Sequence, residues 1–156
     1  LEDQTPKKVL KRANQAIYKQ TDPNKFVALF YGLLDRPSGS LTYVNAGQPG
    51  PFLVSHGQVK SLTKGNLALG VLADVDYAQS QISLNKGDLL FVYTDGLVEA
   101  RVNHNLFGEE RLIDLLKDQG SLPPEELITN VLHAARRFSQ GNLQDDVAVL
   151  ALRRTV

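Results

Sequence analysis

The spacing of apolar residues divides the chain into a helical start, a strand-rich middle and a helical last third. In the first segment, apolar residues recur every three or four positions after Pro6, which is typical of an amphipathic helix with Pro at its first position. The segment Thr21-Asp22-Pro23-Asn24 predicts its end. The opposite face is basic, and we interpret it as a solvated surface. The recurring apolar residues are Val9, Leu10, Ala13, Ala16 and Ile17.

The middle block alternates short apolar runs with turns rich in Gly, Pro, Asn and Asp. Because the connections are of hairpin length, the pattern predicts a mainly antiparallel sheet system. Phe26–Leu34 is predicted to be a buried strand, and Leu89–Tyr93 is typical of a central strand. Asn45–Pro51 is predicted to be a rigid loop. Further strands are predicted at Leu41–Val44, Phe52–Val54, Val59–Leu62 and Tyr77–Leu84.

The last third returns to helical periodicity before a final strand. Leucines on one face predict a helix over Glu109–Lys117, and Ser121–Glu126 predicts the start of the next helix. Gly141 is expected to end that second helix, and Val147–Leu152 is predicted to be the last strand. One helix, many strands, two helices and a strand indicate an α+β domain.

Composition narrows the class of protein. The 156 residues, 42% hydrophobic and 22% charged, are typical of one soluble globular domain. The 17 basic and 17 acidic residues cancel, so we expect neither nucleic acid nor a membrane surface as a partner. No apolar run reaches the ~18–20 residues of a transmembrane helix. The absence of Cys excludes disulfides and cysteine metal sites, and it is compatible with the cytoplasm, where we expect the protein.

Two acidic segments stand at the ends of predicted strands. Asp95 follows the apolar run 89–93, and Gly96 after it allows a sharp turn or the close approach of a ligand. Asp145 and Asp146 come directly before the last strand. Each segment alone is explained somewhat better by a turn or loop. Together they suggest a hard-cation centre, because oxygen ligands without His or Cys favour Mg²⁺, Mn²⁺ or Ca²⁺.

Other candidate chemistries have less support. His56, His104 and His133 match no metal-binding spacing. The segment Gly70–Ala78 has the Asp-x-Asp pattern of haloacid-dehalogenase-type phosphatases, but that motif belongs on a parallel sheet, whereas its surroundings here predict hairpins. The chain has neither a Gly-x-Ser-x-Gly elbow nor a Gly-x-x-x-x-Gly-Lys phosphate loop.

Seven short motifs follow one another along nearly the whole chain. Together they resemble the SpoIIE-like branch of the metal-dependent protein phosphatases (PPM family), which regulate sigma factors through partner switching. The resemblance implies an α+β fold, a four-layer α-β-β-α sandwich. Residues 1–156 would be the C-terminal two-thirds of a single phosphatase domain, with the N-terminal strands missing from this chain. The motifs are Phe26–Tyr31, Asn45–Pro51, Leu69-Gly70, Gly87-Asp88, Tyr93–Ala100, Phe107–Leu112 and Gln144–Val149.

For the site, the resemblance implies two Mn²⁺ or Mg²⁺ ions and hydrolysis of phosphoserine or phosphothreonine by a metal-activated water. Asp95 matches the family's metal-binding Asp of the Thr-Asp-Gly turn, and Asp145 matches the ligand before the final strand; both would be catalytic. Asp146 is a third candidate ligand, although relatives often carry Asn there. The implied substrate is a phosphorylated anti-sigma-factor antagonist, and the implied context is an upstream sensory or receiver domain.

Two departures from the family keep an alternative open. Gln48 stands where the family has His, so it either weakens activity or replaces His as a hydrogen-bonding group in the loop. The family's Gly-Asp-x-Tyr-Asp segment, whose first Asp bridges both metals, is absent, as is Met. We therefore expect a piece of a longer protein with little activity alone, whose open sheet edges favour self-association as a homodimer. The alternative is a catalytically degenerate domain used for partner binding or dimerisation.

Overall fold

The computed structural model describes residues 4–22, 24–62 and 65–156, which form four helices and ten strands. The chain divides into two compact units: unit 1 comprises Leu1–Gly50 and Thr63–Leu84, and unit 2 comprises Pro51–Leu62 and Asn85–Val156. The helices are α1 (Pro6–Gln20), α2 (Asp95–Val98), α3 (Gly108–Gln119) and α4 (Pro124–Phe138). The strands are β1 (Leu29–Asp35), β2 (Ser40–Ala46), β3 (Phe52–Ser55), β4 (Gln58–Ser61), β5 (Gly65–Asn66), β6 (Ser80–Ser83), β7 (Leu89–Tyr93), β8 (Arg101–Val102), β9 (Asn105–Leu106) and β10 (Val149–Arg153).

Unit 1 is a four-stranded sheet with α1 packed against it. Strand β2 lies in its centre, paired antiparallel with β1 and β6 and parallel with the short β5. The apolar face of α1 supplies Leu10, which is buried against Val44, Leu69 and Tyr77. The amphipathic pattern of the first segment thus predicted the helix and most of its buried face, since Val9, Ala13 and Ile17 are partly buried against the same core. Ala16 of the predicted face is exposed, and the polar Asn14 is buried instead.

A buried amide ties α1 to the segment before β6. Asn14 Nδ2 donates to the carbonyls of Leu72 (3.0 Å) and Ala73 (3.3 Å). Its Oδ1 accepts from the amide of Gly70 (2.8 Å) and the hydroxyl of Tyr77 (3.2 Å). Both the oxygen and the nitrogen of this fully buried side chain are hydrogen-bonded, so neither carries the cost of a buried unpaired polar group. Asn14 can therefore hold the irregular segment in place.

Unit 2 contains an antiparallel sheet in the order β10-β7-β3-β4 and the helices α3 and α4. Four of the five residues of β7 are buried, which confirms the prediction of a central strand. The buried stripes of the two helices pack into the same core as β7 and β3. That core includes Phe52, Leu89, Phe91, Leu112, Leu116, Leu127 and Val131.

Several predicted boundaries need correction. The strand predicted at Phe26–Leu34 is β1, which begins only at Leu29 and has no fully buried residue, and Phe26 is 64% exposed. Among the described residues β1 pairs only with β2, so it is an edge strand and its apolar residues are partly exposed. The strand predicted from Tyr77 shrinks to β6 at Ser80, because residues 71–79 are irregular. The Asp-x-Asp segment lies in this irregular stretch.

The remaining differences concern chain ends and short elements. Helix α1 ends at Gln20, where Thr21 donates to the carbonyl of Ile17; Pro23 of the predicted turn lies outside the described residues. The elements α2, β5, β8 and β9 were not predicted, since two to four residues are too few to show a period. No helix among the described residues is both long and apolar enough to cross a membrane.

Candidate active site

The first candidate carboxylate lies where β7 becomes a helix. Thr94 is extended (φ −91°, ψ 157°), and α2 begins directly after it at Asp95. Asp95 is exposed, and its Oδ1 accepts a hydrogen bond from the amide of Gly96 at 3.0 Å. The strand therefore delivers an accessible carboxylate at its carboxyl end, as its sequence pattern predicted.

The second candidate segment precedes β10. Asp145 and Asp146 are both exposed, and Asp145 Oδ1 accepts a hydrogen bond from the amide of Asp146 at 2.7 Å. Exposure to water lowers the cost of the two adjacent negative charges. The sequence predicted β10 from Val147, but the strand begins at Val149 because the two residues before it belong to this loop.

Hydrogen bonds hold the two acidic segments side by side within unit 2. The amide of Thr94 donates to the carbonyl of Ala148 (3.0 Å), and Thr94 Oγ1 donates to the carbonyl of Asp146 (3.1 Å). The amide of Ala148 donates back to Thr94 Oγ1 (2.9 Å). The structure thus brings together the backbone segments that carry Asp95, Asp145 and Asp146.

Gly96 provides the space for this contact. A Cβ atom built on Gly96 would lie 2.5 Å from the carbonyl oxygen of Asp146 and 3.3 Å from the carbonyl carbon of Asp145. The sequence suggested that this glycine serves a sharp turn or an approaching ligand. In the structure the approaching group is the backbone of the second acidic segment.

The donor chemistry of this edge suits a hard cation, because carboxylate oxygens are preferred ligands of Mg²⁺ and Mn²⁺. Among the described residues, however, no three or more His, Cys, Asp or Glu side chains group together as a ligand set. Asp95, Asp145 and Asp146 thus do not form a ligand set by themselves, and a metal site at this edge would need further oxygen ligands. His56, His104 and His133 are exposed and belong to no such group either.

One partly buried contact beside the site was not predicted from the sequence. The hydroxyl of Tyr93, the residue before Thr94, donates to Glu109 Oε1 at 2.8 Å. Burial, together with this hydrogen bond and the negative charge of Glu109, raises the pKa of Tyr93 well above its ordinary value. The contact fastens the first turn of α3 to the end of β7. Tyr93 lies in an apolar run, so its sequence context indicates only a core residue.

The loop after β2 in unit 1 shows what Gln48 does. Its side-chain Nε2 donates to the carbonyl of Ala28 (3.1 Å), and its main-chain amide donates to Oδ1 of the buried Asn45 (3.1 Å). Gly47 has φ +83°, and a Cβ there would lie 2.7 Å from that of Ala68. Of the two interpretations of Gln48, the structure supports that of a hydrogen-bonding group that orders the loop.

Comparison with solved structures identifies the class of fold. The SiaA-PP2C domain of Pseudomonas aeruginosa superimposes with a TM-score of 0.83 at 23% identity, over 96% of this chain and 61% of that chain. The phosphatase domain of SpoIIE from Bacillus subtilis, presoaked with Mn, gives a TM-score of 0.72 at 19% identity, over 98% and 68% of the two chains. The chain therefore has the α+β fold of PP2C-type phosphatase domains.

Comparison of sequences then gives the family. The sequence model of Stage II sporulation protein E (SpoIIE) matches residues 1–155, and the chain belongs to this SpoIIE family. Phosphoserine phosphatase RsbU of Bacillus subtilis (strain 168) is 28% identical over 153 residues, which are 97% of this chain and 46% of that protein. The chain thus spans about half the length of this relative. The family resemblance and the fold class predicted from the sequence are both confirmed.

Proposed function

We propose that this chain forms part of a metal-dependent protein serine/threonine phosphatase that hydrolyses phosphoserine or phosphothreonine. The observation that carries the proposal is the hydrogen-bonded pairing of Thr94 with Asp146 and Ala148, which sets Asp95 beside the second acidic segment. Membership of the SpoIIE family supports it, as does similarity to a relative named phosphoserine phosphatase.

In this proposal, Asp95 and Asp145 are the main ligands of Mn²⁺ or Mg²⁺, and Asp146 is the third. The complete domain would hold two ions, with ligands from outside the described residues. Such ions, when bound, polarise phosphoryl oxygens and lower the pKa of water. All three carboxylates are exposed, so a phosphorylated side chain reaches them without opening the core of unit 2. Hydrolysis forms a bond between phosphorus and the water oxygen and breaks the bond to the side-chain oxygen, releasing inorganic phosphate.

The proposed substrate is a phosphorylated anti-sigma-factor antagonist. This proposal, like that of an upstream sensory or receiver domain and of a homodimer, rests on family membership alone. We also propose that residues 1–156 are the C-terminal two-thirds of one phosphatase domain in the cytoplasm.

One observation favours a second candidate, a degenerate phosphatase-like domain that binds a partner or dimerises. The described residues contain no group of three or more potential metal ligands. Retention of three exposed carboxylates at paired strand ends favours the enzyme, since a binding domain has little need of them.

Phosphate release decides between the two candidates. The 156-residue chain and the natural polypeptide that contains it are assayed on p-nitrophenyl phosphate and a phosphoserine peptide, with MnCl₂ or with EDTA. We expect Mn²⁺-dependent release from the natural polypeptide, little from the 156-residue chain, and loss on Asp95→Asn. Asp118→Asn, an exposed change on α3, serves as the matched control.

Each other outcome has a definite meaning. No release from the natural polypeptide with MnCl₂ would overturn the phosphatase proposal and favour the binding domain. Full activity of the 156-residue chain would support the phosphatase and overturn the expectation that further ligands are needed. Unchanged activity of Asp95→Asn would remove Asp95 from the proposed ligand set.

A further inference from the structure

Thr94 uses its side chain and its main chain for different purposes at the junction of β7 and α2. Its hydroxyl accepts a hydrogen bond from the amide of Ala148 (2.9 Å) and donates one to the carbonyl of Asp146 (3.1 Å). Its carbonyl accepts a hydrogen bond from the amide of Leu97 (3.1 Å), which forms the first turn of α2. One residue thus ends a strand and begins a helix.

The pairing of β7 with β10 shows why this is unusual. Tyr93 is paired with Val149, so the next pair along the antiparallel ladder is Thr94 with Ala148. Residues of a hydrogen-bonded antiparallel pair exchange both amide-to-carbonyl bonds. Thr94 donates to the Ala148 carbonyl (3.0 Å), but the returning bond ends on the Thr94 hydroxyl and not on its carbonyl. The side chain replaces the main-chain acceptor, which leaves the carbonyl of Thr94 for the helix.

We infer that Thr94 is a positioning residue whose hydroxyl fixes the spacing between Asp95 and the Asp145–Asp146 segment; this inference rests on the proposed function. Without the hydroxyl, the amide of Ala148, in an exposed contact, either bonds to water or takes the Thr94 carbonyl. In the first outcome, the second acidic segment loses both of its bonds to the Thr94 side chain and keeps only the main-chain bond from the Thr94 amide to Ala148. In the second outcome, the amide of Ala148 competes with the amide of Leu97 for the Thr94 carbonyl, which loosens the first turn of α2 at Asp95.

The proposed role of Thr94 requires a hydroxyl at this position and a glycine at position 96. The contact needs an acceptor for one amide and a donor for one carbonyl at the same atom, which Ser and Thr provide and Val does not. Gly96 permits the approach, since a side chain there would collide with the Asp146 carbonyl. Thr94 and Asp146 are 52 positions apart, so this link belongs to the tertiary structure.

The experiment compares Thr94→Val, which keeps the shape of the side chain, with Thr94→Ser, which keeps the hydroxyl. Mn²⁺ affinity of the natural polypeptide is measured by electron paramagnetic resonance of the free ion. We expect Thr94→Val to weaken binding roughly 10–100-fold, as changes to groups that orient metal ligands commonly do. Thr94→Ser is expected to bind as the unaltered protein does.

Amide hydrogen exchange supplies a readout that does not depend on metal. In the unaltered protein and in Thr94→Ser, the amides of Leu97 and Ala148 should both be protected. In Thr94→Val, one of the two should exchange faster while the amides of β3 remain protected. If Thr94→Val does not fold, Thr94→Ala removes the same hydroxyl, and failure of both to fold would overturn a local positioning role.

The two proposals fail in different ways. If the unaltered protein binds no Mn²⁺, the phosphatase proposal fails, and with it the metal-positioning role, even if amide exchange confirms the hydrogen bonds. If the unaltered protein binds Mn²⁺ and Thr94→Val binds it equally well, the positioning role is overturned and the phosphatase proposal stands.

Discussion

Unit 1 and unit 2 each contain a polar cluster formed from distant parts of the chain, and the two clusters differ in burial. Asn14 in unit 1 is fully buried, and both ends of its amide are hydrogen-bonded within the protein. Asp95 and Asp145 in unit 2 are exposed, and the bond that each accepts comes from the next residue's amide. A polar group satisfied inside the core stabilises the fold, whereas an exposed carboxylate retains capacity for a ligand. The comparison predicts that changes in the first cluster affect stability and changes in the second affect chemistry.

The largest loss of stability is expected from Asn14→Leu. The change leaves the buried Gly70 amide and Tyr77 hydroxyl without their acceptor, which should lower the free energy of unfolding by about 3 kcal/mol. Urea unfolding followed by circular dichroism measures it. Gln15→Leu, at the exposed neighbouring position of α1, is the control. Equal stability of the two variants would contradict a structural role for Asn14.

Gly96→Ala is expected to affect both the stability of the protein and its binding of metal. Its Cβ would overlap the Asp146 carbonyl, so we expect a loss of about 2 kcal/mol together with weaker Mn²⁺ binding. Gly65→Ala is the control, because, apart from its chain neighbours, no described residue comes within 4 Å of a Cβ at that position. Thermal unfolding and metal titration on both variants suffice. A stable Gly96→Ala protein with normal metal affinity would show that the close approach of the two segments is dispensable.

A smaller effect, dependent on pH, is expected from Tyr93→Phe. The pKa of Tyr93 is raised above its ordinary value of 10.0, so the folded protein holds this proton more tightly than the unfolded chain. The resulting stability is present below pH 10 and is lost as the pH rises above it. Tyr93→Phe should cost about 1 kcal/mol at neutral pH and reduce the decline above pH 10.

The control for that series is Tyr18→Phe, which changes an exposed tyrosine. Burial also raises the pKa values of Tyr43 and Tyr77, so part of the alkaline decline should remain in every variant. Free energies of unfolding measured from pH 7 to pH 11 give the slopes. Identical slopes for Tyr93→Phe and the unaltered protein would contradict the contribution of the Tyr93–Glu109 contact.

The smallest change in stability is expected from Asp145→Asn. The residue is exposed and the variant also removes one of two adjacent negative charges, so the free energy of unfolding should shift by no more than about 0.5 kcal/mol. Mn²⁺-dependent phosphate release by the natural polypeptide should nevertheless fall sharply. Asp118→Asn should leave both quantities unchanged. A large loss of stability in Asp145→Asn would show that this carboxylate, like Asn14, stabilises the fold.

Much of the fold could be predicted from the sequence because the periods of helices and strands are local properties. Helix α1 begins at Pro6 as predicted, β7 has the predicted bounds, and α3 and α4 follow their apolar stripes. The exposure of β1 could not be predicted in the same way. Its residues are as apolar as those of a buried strand, and only the pairing of the sheet makes it an edge.

The candidate site, like the fold, could be predicted only in part from the sequence. The sequence by itself determined which residues are chemically suited to a hard cation, since Asp95, Asp145 and Asp146 are carboxylates at strand ends in a recognisable motif order. Only the tertiary structure decided that the two segments adjoin, that Gly96 serves their contact and that Thr94 joins them. The physical reason is distance along the chain: local spacing specifies helices and strands, but a hydrogen bond between residues 52 positions apart exists only after the sheet has formed.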